Sequence, residues 1–213
     1  MLAPLELQPV EVIIIDPKAG DDFNYPGSYR GEDAPLGLTK AFEIFEGRKQ
    51  KDLTSKNLII VFIDEMQSLI NLLPAKSKDE NALTKEEAQR QLNILVSLSR
   101  SYSFSVQLAT QQPSAQIFGG SAAREQFGLL ACLFGENGGG GSETLSMMFD
   151  AESREAIKTF GSINGRGGFI SINGGQAVPF RVPRIKDWDK LNSVISNNIM
   201  MMESDNNERI HTL

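Results

Sequence analysis

The amino-acid sequence predicts an α/β fold with a mostly parallel sheet that is flanked by helices and followed by a C-terminal hairpin. Segments with strand character alternate with segments of helical spacing along most of the chain, which is the order typical of parallel sheets with crossover helices. The run Leu58–Ile63 is continuously apolar, as expected of a strand that is buried on both faces. The segments "GGFISING" and "QAVPFRVP" flank Gly174 and Gly175, which predicts a closing hairpin.

The first half of the chain supplies three of the predicted strands and most of the predicted helices. Four apolar residues recur at helical spacing after Glu65 (Met66, Leu69, Ile70 and Leu73), and Pro74 ends that pattern. Thr84 and Glu87 have the spacing of a capping box, which predicts the start of another helix. In order, we expect a strand over Val10–Asp16, a helix over Leu36–Gly47, a strand over Leu58–Ile63, a helix from Glu65, a helix after Thr84 and a strand over Phe104–Thr110.

The second half is predicted to contain a further strand, a short helix, the hairpin and a last helix. The segment "QFGLLACLFG" contains the strand, "ESREAIKTFG" is a helix with a glycine stop, and "DWDKLNSVISNNI" is the last helix. We expect one domain over residues 1–190, and a helix end with a flexible tail over residues 191–213.

Composition and charge exclude several classes of function. The net charge of −6 and the pI near 5.0 argue against a broad basic face that grips phosphates. His211 is the only histidine, so neither a Ser/His/Asp triad nor a histidine metal site is possible. Cys132 is the only cysteine and lies in an apolar run, which favours a buried thiol and a reducing cytoplasm.

Asp64 and Glu65 are the strongest candidates for chemistry, because they directly follow the apolar strand. At the carboxyl end of a parallel strand, the first carboxylate is placed to hold Mg²⁺ and the second to polarise an attacking water. The alternative is that Asp64 only caps the helix that begins near Glu65.

The polar residues after the other strands are the next candidates. Thr110 and Gln111 follow the strand that starts at Phe104, and Asp16 and Lys18 follow the first strand. A glutamine at this position can hydrogen-bond a terminal phosphate and the attacking water. The alternative for Gln111 is turn formation ahead of Pro113.

A glycine run and three arginines are weaker candidates. Gly138–Gly141 is followed by Ser142 rather than by a lysine, so it does not fit a phosphate-binding loop, and we expect a flexible surface turn. Arg100, Arg124 and Arg166 lie near predicted loops, where each either reaches a phosphate of nucleotide or DNA or is a solvated surface residue.

Four segments, taken together and in order, resemble the motor domain of FtsK/SpoIIIE-type DNA translocases and the related coupling ATPases of conjugative elements. They are "VEVIIIDPK", "LIIVFIDEMQSLI", "LSRSYSFSVQLATQQPS" and "GRGGFISINGGQAVPFRVPRI". The resemblance covers roughly Met1 to Asp189. It implies a RecA-like P-loop NTPase core, ATP and Mg²⁺ as cofactors, DNA as partner and a hexameric ring in the complete protein.

The resemblance also implies roles for individual residues. Asp64 would coordinate magnesium as part of the Walker B strand, Glu65 would activate water and Gln111 would sense the γ-phosphate. Thr110 and Arg166 would contact the nucleotide. Arg100 would contact DNA in the ring pore, whereas Arg124 and Arg166 are alternatives for a trans-acting finger or a phosphate contact, so none is chosen as the finger.

The chain departs from the family at two places. Gln112 stands where the family usually has an arginine. More importantly, the Walker A strand, loop and helix that precede the first segment in the family are absent, and "MLAPLELQP" resembles the end of that helix.

The absence of the Walker A segment predicts weak nucleotide binding, unpaired strand edges and a bare apolar face. We therefore expect the C-terminal portion of a DNA-translocating ATPase that is incompetent alone. The alternative is a non-catalytic interaction subunit. The expected location is cytoplasmic, or membrane-associated through a conjugation-complex partner.

Overall fold

The computed structural model describes residues 10–51, 57–77, 82–111, 113–114, 117, 126–134, 142–160 and 167–196. The chain packs as two compact units. The first unit contains residues 1–111 together with 187–213, and the second contains residues 112–186. The domain boundary predicted at residue 190 stays a prediction.

The first unit is built on a four-stranded parallel sheet, as the sequence predicts. Its strands are β1 (Val10–Asp16), β2 (Tyr29–Arg30), β3 (Leu58–Ile63) and β4 (Phe104–Leu108), and their order in space is β2-β1-β3-β4. The predicted bounds of β1 and β3 are confirmed. The two-residue strand β2 lies in a segment for which the sequence predicts only a loop.

Helices cover both faces of this sheet. They are α1 (Ala34–Gln50), α2 (Met66–Leu72), α3 (Lys85–Leu98) and a last helix whose described part is 188–196. In the last helix, Ile195 packs on one face against Val12 and Ile60. On the other face, α1 lies so close to β1 and β2 that a Cβ at Gly37 would meet Ile15 and Tyr29 at 2.8 Å. Because helices cover both faces, β1 and β3 are almost entirely apolar and buried.

A buried arginine ties α1 to the amino end of β4. Arg48 is only 6% exposed, and its Nη1 donates to the carbonyl oxygen of Tyr102 at 3.0 Å. Its guanidinium lies 5.1 Å from the ring centroid of Phe104, and its Nη2 lies 3.8 Å from Glu11 Oε2. Burial lowers the pKa of Arg48, and the charge of Glu11 partly offsets that shift. These contacts compensate for much of the cost of burying the cation.

The second unit contains a separate antiparallel sheet of three strands, which the sequence does not predict. Its strands are β5 (Leu129–Phe134), β6 (Gly167–Ile172) and β7 (Val178–Arg181), in that order. The predicted hairpin is confirmed as β6 and β7. The strand predicted in "QFGLLACLFG" is also present, but it pairs antiparallel with β6 and not with the parallel sheet.

One face of the antiparallel sheet is covered and the other is exposed. Two helices, α4 (Ser142–Met148) and α5 (Ala151–Phe160), cover this face. Phe149, which directly follows α4, and Ile157 of α5 pack in a core that includes Phe169 and the predicted buried thiol, Cys132. The strand register places a set of apolar side chains on the opposite face. The exposed members of this set are Leu129, Ala131, Leu133, Ile172 and Val178, and the half-buried members are Ile170 and Phe180.

None of the helices in the described ranges has the length and apolarity needed to cross a bilayer.

Alanine substitutions at two glycines of α1 are expected to change the free energy of unfolding in opposite directions. Gly37→Ala is expected to lower the free energy of unfolding by about 1–2 kcal/mol, because the new Cβ would overlap Ile15 and Tyr29 and the clash exceeds the gain in helix propensity. Gly47→Ala in the same helix meets no atom within 4 Å. It is expected to raise stability by about 0.5–1 kcal/mol through helix propensity alone. Urea unfolding followed by circular dichroism measures both, and equal effects would contradict the close packing of α1 on β1 and β2.

Candidate active site

The carboxyl ends of β1, β3 and β4 lie side by side, so the polar residues that follow them meet. The register aligns Ile15 with Ile63 and Ile63 with Leu108. Beyond the strands, the amide of Asp64 donates to the carbonyl oxygen of Ile15 at 2.9 Å, and the amide of Met66 donates to that of Ala109 at 3.1 Å. These bonds fix the start of α2 between the ends of β1 and β4.

Glu65 is the centre of the contacts at this edge. Its Oε1 accepts hydrogen bonds from Thr110 Oγ1 at 3.2 Å and from the backbone N–H of Gln111 at 3.4 Å. Its Oε2 lies 3.4 Å from Lys18 Nζ. Glu65 follows β3, and its contacts come from residues that follow β1 and β4. The positions of these residues directly after their strands predict this proximity.

The backbone of Glu65 is unusual as well. Its φ of 53° and ψ of 69° place a non-glycine residue in the left-handed region, and its side chain is 9% exposed. Such conformations are costly and cluster at functional sites. The sequence contains no signal for this conformation, because glutamate has no preference for it.

Asp64 lies at the end of β3 and is half-buried. The N-cap residue of α2 is Glu65, and its side chain makes no capping bond. The capping alternative placed Asp64 at that position, so this part of the alternative is wrong.

The described residues contain no group of three or more acidic, histidine or cysteine side chains that could hold a metal. Mg²⁺ in phosphate-transfer sites is usually held by one or two carboxylates, with phosphates and waters as its other ligands. The carboxylate of Asp64 fits that kind of site, because it supplies the hard oxygen donors that Mg²⁺ requires.

The side chain of Asp16 contacts the loop that follows β1, and it is not among the groups that contact Glu65 in the described part of the chain. It is completely buried, and its Oδ1 accepts a hydrogen bond from the backbone N–H of Lys18 at 3.1 Å. Its Oδ2 lies 3.4 Å from Nε of Arg30, and Arg30 Nη1 also donates to Asn24 at 2.8 Å. Arg30 lies in a predicted loop and no sequence motif points to it, so its contact with Asp16 is not predictable from the sequence.

Within the described ranges, the side chains of Gln111 and Arg100 do not contact Glu65. The side chain of Gln111 is exposed, and only its backbone contacts Glu65. Arg100 is exposed and precedes β4, so it lies at the opposite end of that strand from Thr110. Arg124, Arg166, Gln112 and the glycine run Gly138–Gly141 lie outside the described residues, and their predicted roles stay predictions.

Comparison of the chain with protein-family models, with curated proteins and with solved structures gave no match. The resemblance to DNA translocases therefore rests on the four sequence segments alone and stays a prediction.

The two cations of the site are expected to contribute unequally to stability. Arg30→Met leaves the buried carboxylate of Asp16 without its guanidinium, which we expect to cost about 2–3 kcal/mol. Lys18→Met removes a cation whose side chain is 48% exposed, so we expect a loss below about 1 kcal/mol. Urea unfolding of both variants makes the comparison. A larger loss for Lys18→Met would show that the contact with Glu65, and not the Asp16 pair, holds this edge together.

Proposed function

We propose that this chain is the C-terminal portion of an ATP-driven DNA translocase or conjugative DNA-transfer motor, and that it is incompetent without a phosphate-binding segment. The observation that carries the proposal is the position of Glu65. It lies at the carboxyl end of a buried parallel strand in a left-handed conformation, with contacts to residues that follow the two neighbouring strands. Ligands of open α/β sheets bind at this edge.

The geometry suits Glu65 to positioning a water. A carboxylate offers about four acceptor sites, and three of them are used by Thr110, the Gln111 amide and Lys18. These contacts fix the orientation of the carboxylate and, as far as the described residues are concerned, leave capacity for one further donor. In the proposed reaction, that donor is the water that attacks the terminal phosphate. Its oxygen bonds to the γ-phosphorus as the bond to the bridging oxygen breaks and ADP leaves, and Glu65 accepts the proton of the water.

The neighbouring residues take the remaining roles in the proposal. Asp64 holds Mg²⁺, which when bound neutralises charge on the phosphates. The side chain of Gln111 is exposed beside Glu65 and contacts the γ-phosphate. Thr110 orients Glu65 through its hydroxyl and lines the nucleotide site. Arg166, which lies outside the described residues, is the proposed phosphate contact.

DNA is the proposed partner, bound in a ring of several copies in the complete protein. The net charge of −6 is unfavourable for a broad DNA-binding face, so contact through a few arginines in a pore is the mode that the composition allows. Arg100 is exposed as such a contact requires, and Arg124 is the second candidate. Membrane or conjugation-complex partners, with a cytoplasmic location, belong to the same proposal.

A specific observation favours the second candidate, a non-catalytic interaction subunit. The exposed apolar face of the β5-β6-β7 sheet is the kind of surface that marks a protein interface. In that role the chain folds on its own, and substitutions at Asp64 and Glu65 have no effect on its interactions.

The affinity of the chain for MgATP is the first test of the motor proposal. We expect the purified chain to bind MgATP with a Kd of about 1 mM or weaker and to show no hydrolysis, because no sequence in the 213 residues fits Gly-x-x-x-x-Gly-Lys-[Ser/Thr]. Calorimetry on the chain and on Asp64→Asn measures this. The variant changes a charge and keeps the shape of the side chain, so it is the matched control.

Micromolar binding that disappears in Asp64→Asn would show that another group replaces the phosphate loop, and the incomplete-motor proposal would be wrong. With weak binding, a segment that carries the phosphate loop is added. Hydrolysis that then depends on Glu65 supports the motor, whereas its continued absence favours the interaction subunit.

A further inference from the structure

The second unit contains a cavity of about 280 Å³. Its lining residues belong to the start of β5, the end of α4, the start of α5 and the turn between β6 and β7, or directly adjoin these elements. Protein interiors contain few voids larger than a water molecule. The volume is close to the lower end of the range of roughly 300–1,000 Å³ that is usual for small-molecule pockets, so the cavity suits a small ligand.

Most of the wall of this cavity is apolar. The side chains that supply the apolar surface are Phe127, Leu130, Met147, Met148 and Phe149, of which Phe149 is buried and the other four are half-buried. Methionine has an unbranched and polarisable side chain that adapts to ligands of different shapes. The wall therefore favours the aliphatic part of a ligand, because contact with it removes half-buried apolar surface from water.

Two buried serines hold the hairpin turn that forms one side of the cavity. Ser153 is 2% exposed and Ser171 is 5% exposed. The hydroxyl of Ser171 donates to the carbonyl oxygen of Gly175 at 2.6 Å, and the backbone N–H of Ala177 donates to Oγ of Ser153 at 3.0 Å. These bonds join the turn to β6 and to α5, so hydrogen-bonded backbone as well as side chains define the wall.

Asp150 is the one charged residue among the lining residues, all of which lie in the described ranges, and it is exposed. Its Oδ1 accepts a hydrogen bond from the backbone N–H of Ser153 at 2.7 Å, which caps α5. The hydrogen bonds from Ser153 lower the pKa of Asp150, and the charge of Arg154 acts in the same direction, so the carboxylate is ionised at neutral pH. Arg154 does not line the cavity. The cavity therefore presents one negative charge beside an apolar wall.

We propose that this cavity binds a small aliphatic amine, with the alkyl chain against the apolar wall and the ammonium group beside Asp150. Charge and apolar surface together determine this class of ligand. An aliphatic carboxylate would be repelled by Asp150, and an uncharged aliphatic molecule would gain nothing from that charge. The site lies in the second unit and uses none of the residues around Glu65, so the inference goes beyond the proposed function and does not rest on it.

Binding of hexylammonium to the full chain tests the inference. The methionine methyl groups are labelled with carbon-13 and observed by NMR, and Met147→Leu and Met148→Leu assign the two signals from the cavity. Met66, which is completely buried in the first unit, is the internal control. We expect saturable shifts of the Met147 and Met148 signals with a Kd of about 1 mM, as is usual for a ligand of this size, and no shift of the Met66 signal.

Two further probes of the same chain length test the role of charge. Hexanol keeps the alkyl chain without a charge, and hexanoate reverses the charge. We expect hexanol to bind about fivefold more weakly than hexylammonium, because an exposed ion pair contributes no more than about that factor. Hexanoate is expected to give no saturable shift. Equal affinities for hexylammonium and hexanol, or tighter binding of hexanoate, would overturn the proposed class of ligand.

A matched pair of variants locates the charge that the ligand contacts. Asp150→Asn removes the charge and keeps the capping bond, since asparagine caps helices about as well as aspartate does. We expect it to weaken hexylammonium binding about fivefold, to the affinity of hexanol. Glu152→Gln removes a charge from the first turn of the same helix at a residue that does not line the cavity. It is expected to leave the affinity within about twofold.

The remaining outcomes each decide against the inference or leave a decisive comparison. If none of the three probes gives saturable shifts at Met147 and Met148, the cavity does not bind such ligands and the inference is wrong. Equal losses of affinity in Asp150→Asn and Glu152→Gln would show an effect of net charge alone and would overturn the assigned contact. If Asp150→Asn fails to fold, the comparison of hexylammonium with hexanol on the unchanged chain decides. None of these measurements involves ATP, so they and the test of the motor proposal can fail independently.

Discussion

The parallel register of β1, β3 and β4 is the constraint on which the first unit and its candidate site depend. Because these strands point the same way and start at nearly the same level, their carboxyl ends meet at one edge. Lys18 lies 47 positions before Glu65 in the sequence, and Thr110 lies 45 positions after it. The parallel register brings both into contact with the carboxylate of Glu65. Because β1 and β3 are apolar on both faces, a one-residue slip would exchange one buried face for the other, so the hydrophobic pattern alone does not set this register.

The site is held by two carboxylates that have different tasks. Asp16 is buried and bound by the Lys18 amide and by Arg30, so it fixes the course of the loop that follows β1. That loop carries Lys18, whose flexible side chain reaches Glu65. Glu65 keeps a left-handed backbone only because the hydrogen bonds of its neighbours, including Met66 to Ala109, determine the path of the chain there. The Asp16–Arg30 pair thus supports the geometry of Glu65 indirectly.

Some elements of the fold and the site are predictable from the sequence because a local pattern determines them, whereas others depend on tertiary contacts. The bounds of β1 and β3 are predictable because burial on both faces requires continuous apolar runs, and the capping bond from Glu87 N–H to Thr84 follows from a local motif. The convergence of Asp64, Glu65 and Thr110 follows from parallel topology alone. The Asp16–Arg30 pair, the φ of Glu65 and the second sheet are not predictable in this way. They depend on tertiary contacts, and an apolar run such as β5 fits a parallel or an antiparallel sheet equally well.

Both units leave apolar side chains exposed or half-buried. In the first unit, β4 is the last strand of the described part of the sheet, and Val106 and Leu108 in this strand are half-buried. The second sheet has apolar side chains on both faces and helices on only one of them. Leu129, Leu133 and Val178 are all more than half exposed on that face, and exposed apolar patches of this kind are typical of surfaces that contact another protein. The interaction-subunit proposal depends on this surface, whereas the motor proposal depends on Glu65 and its contacts.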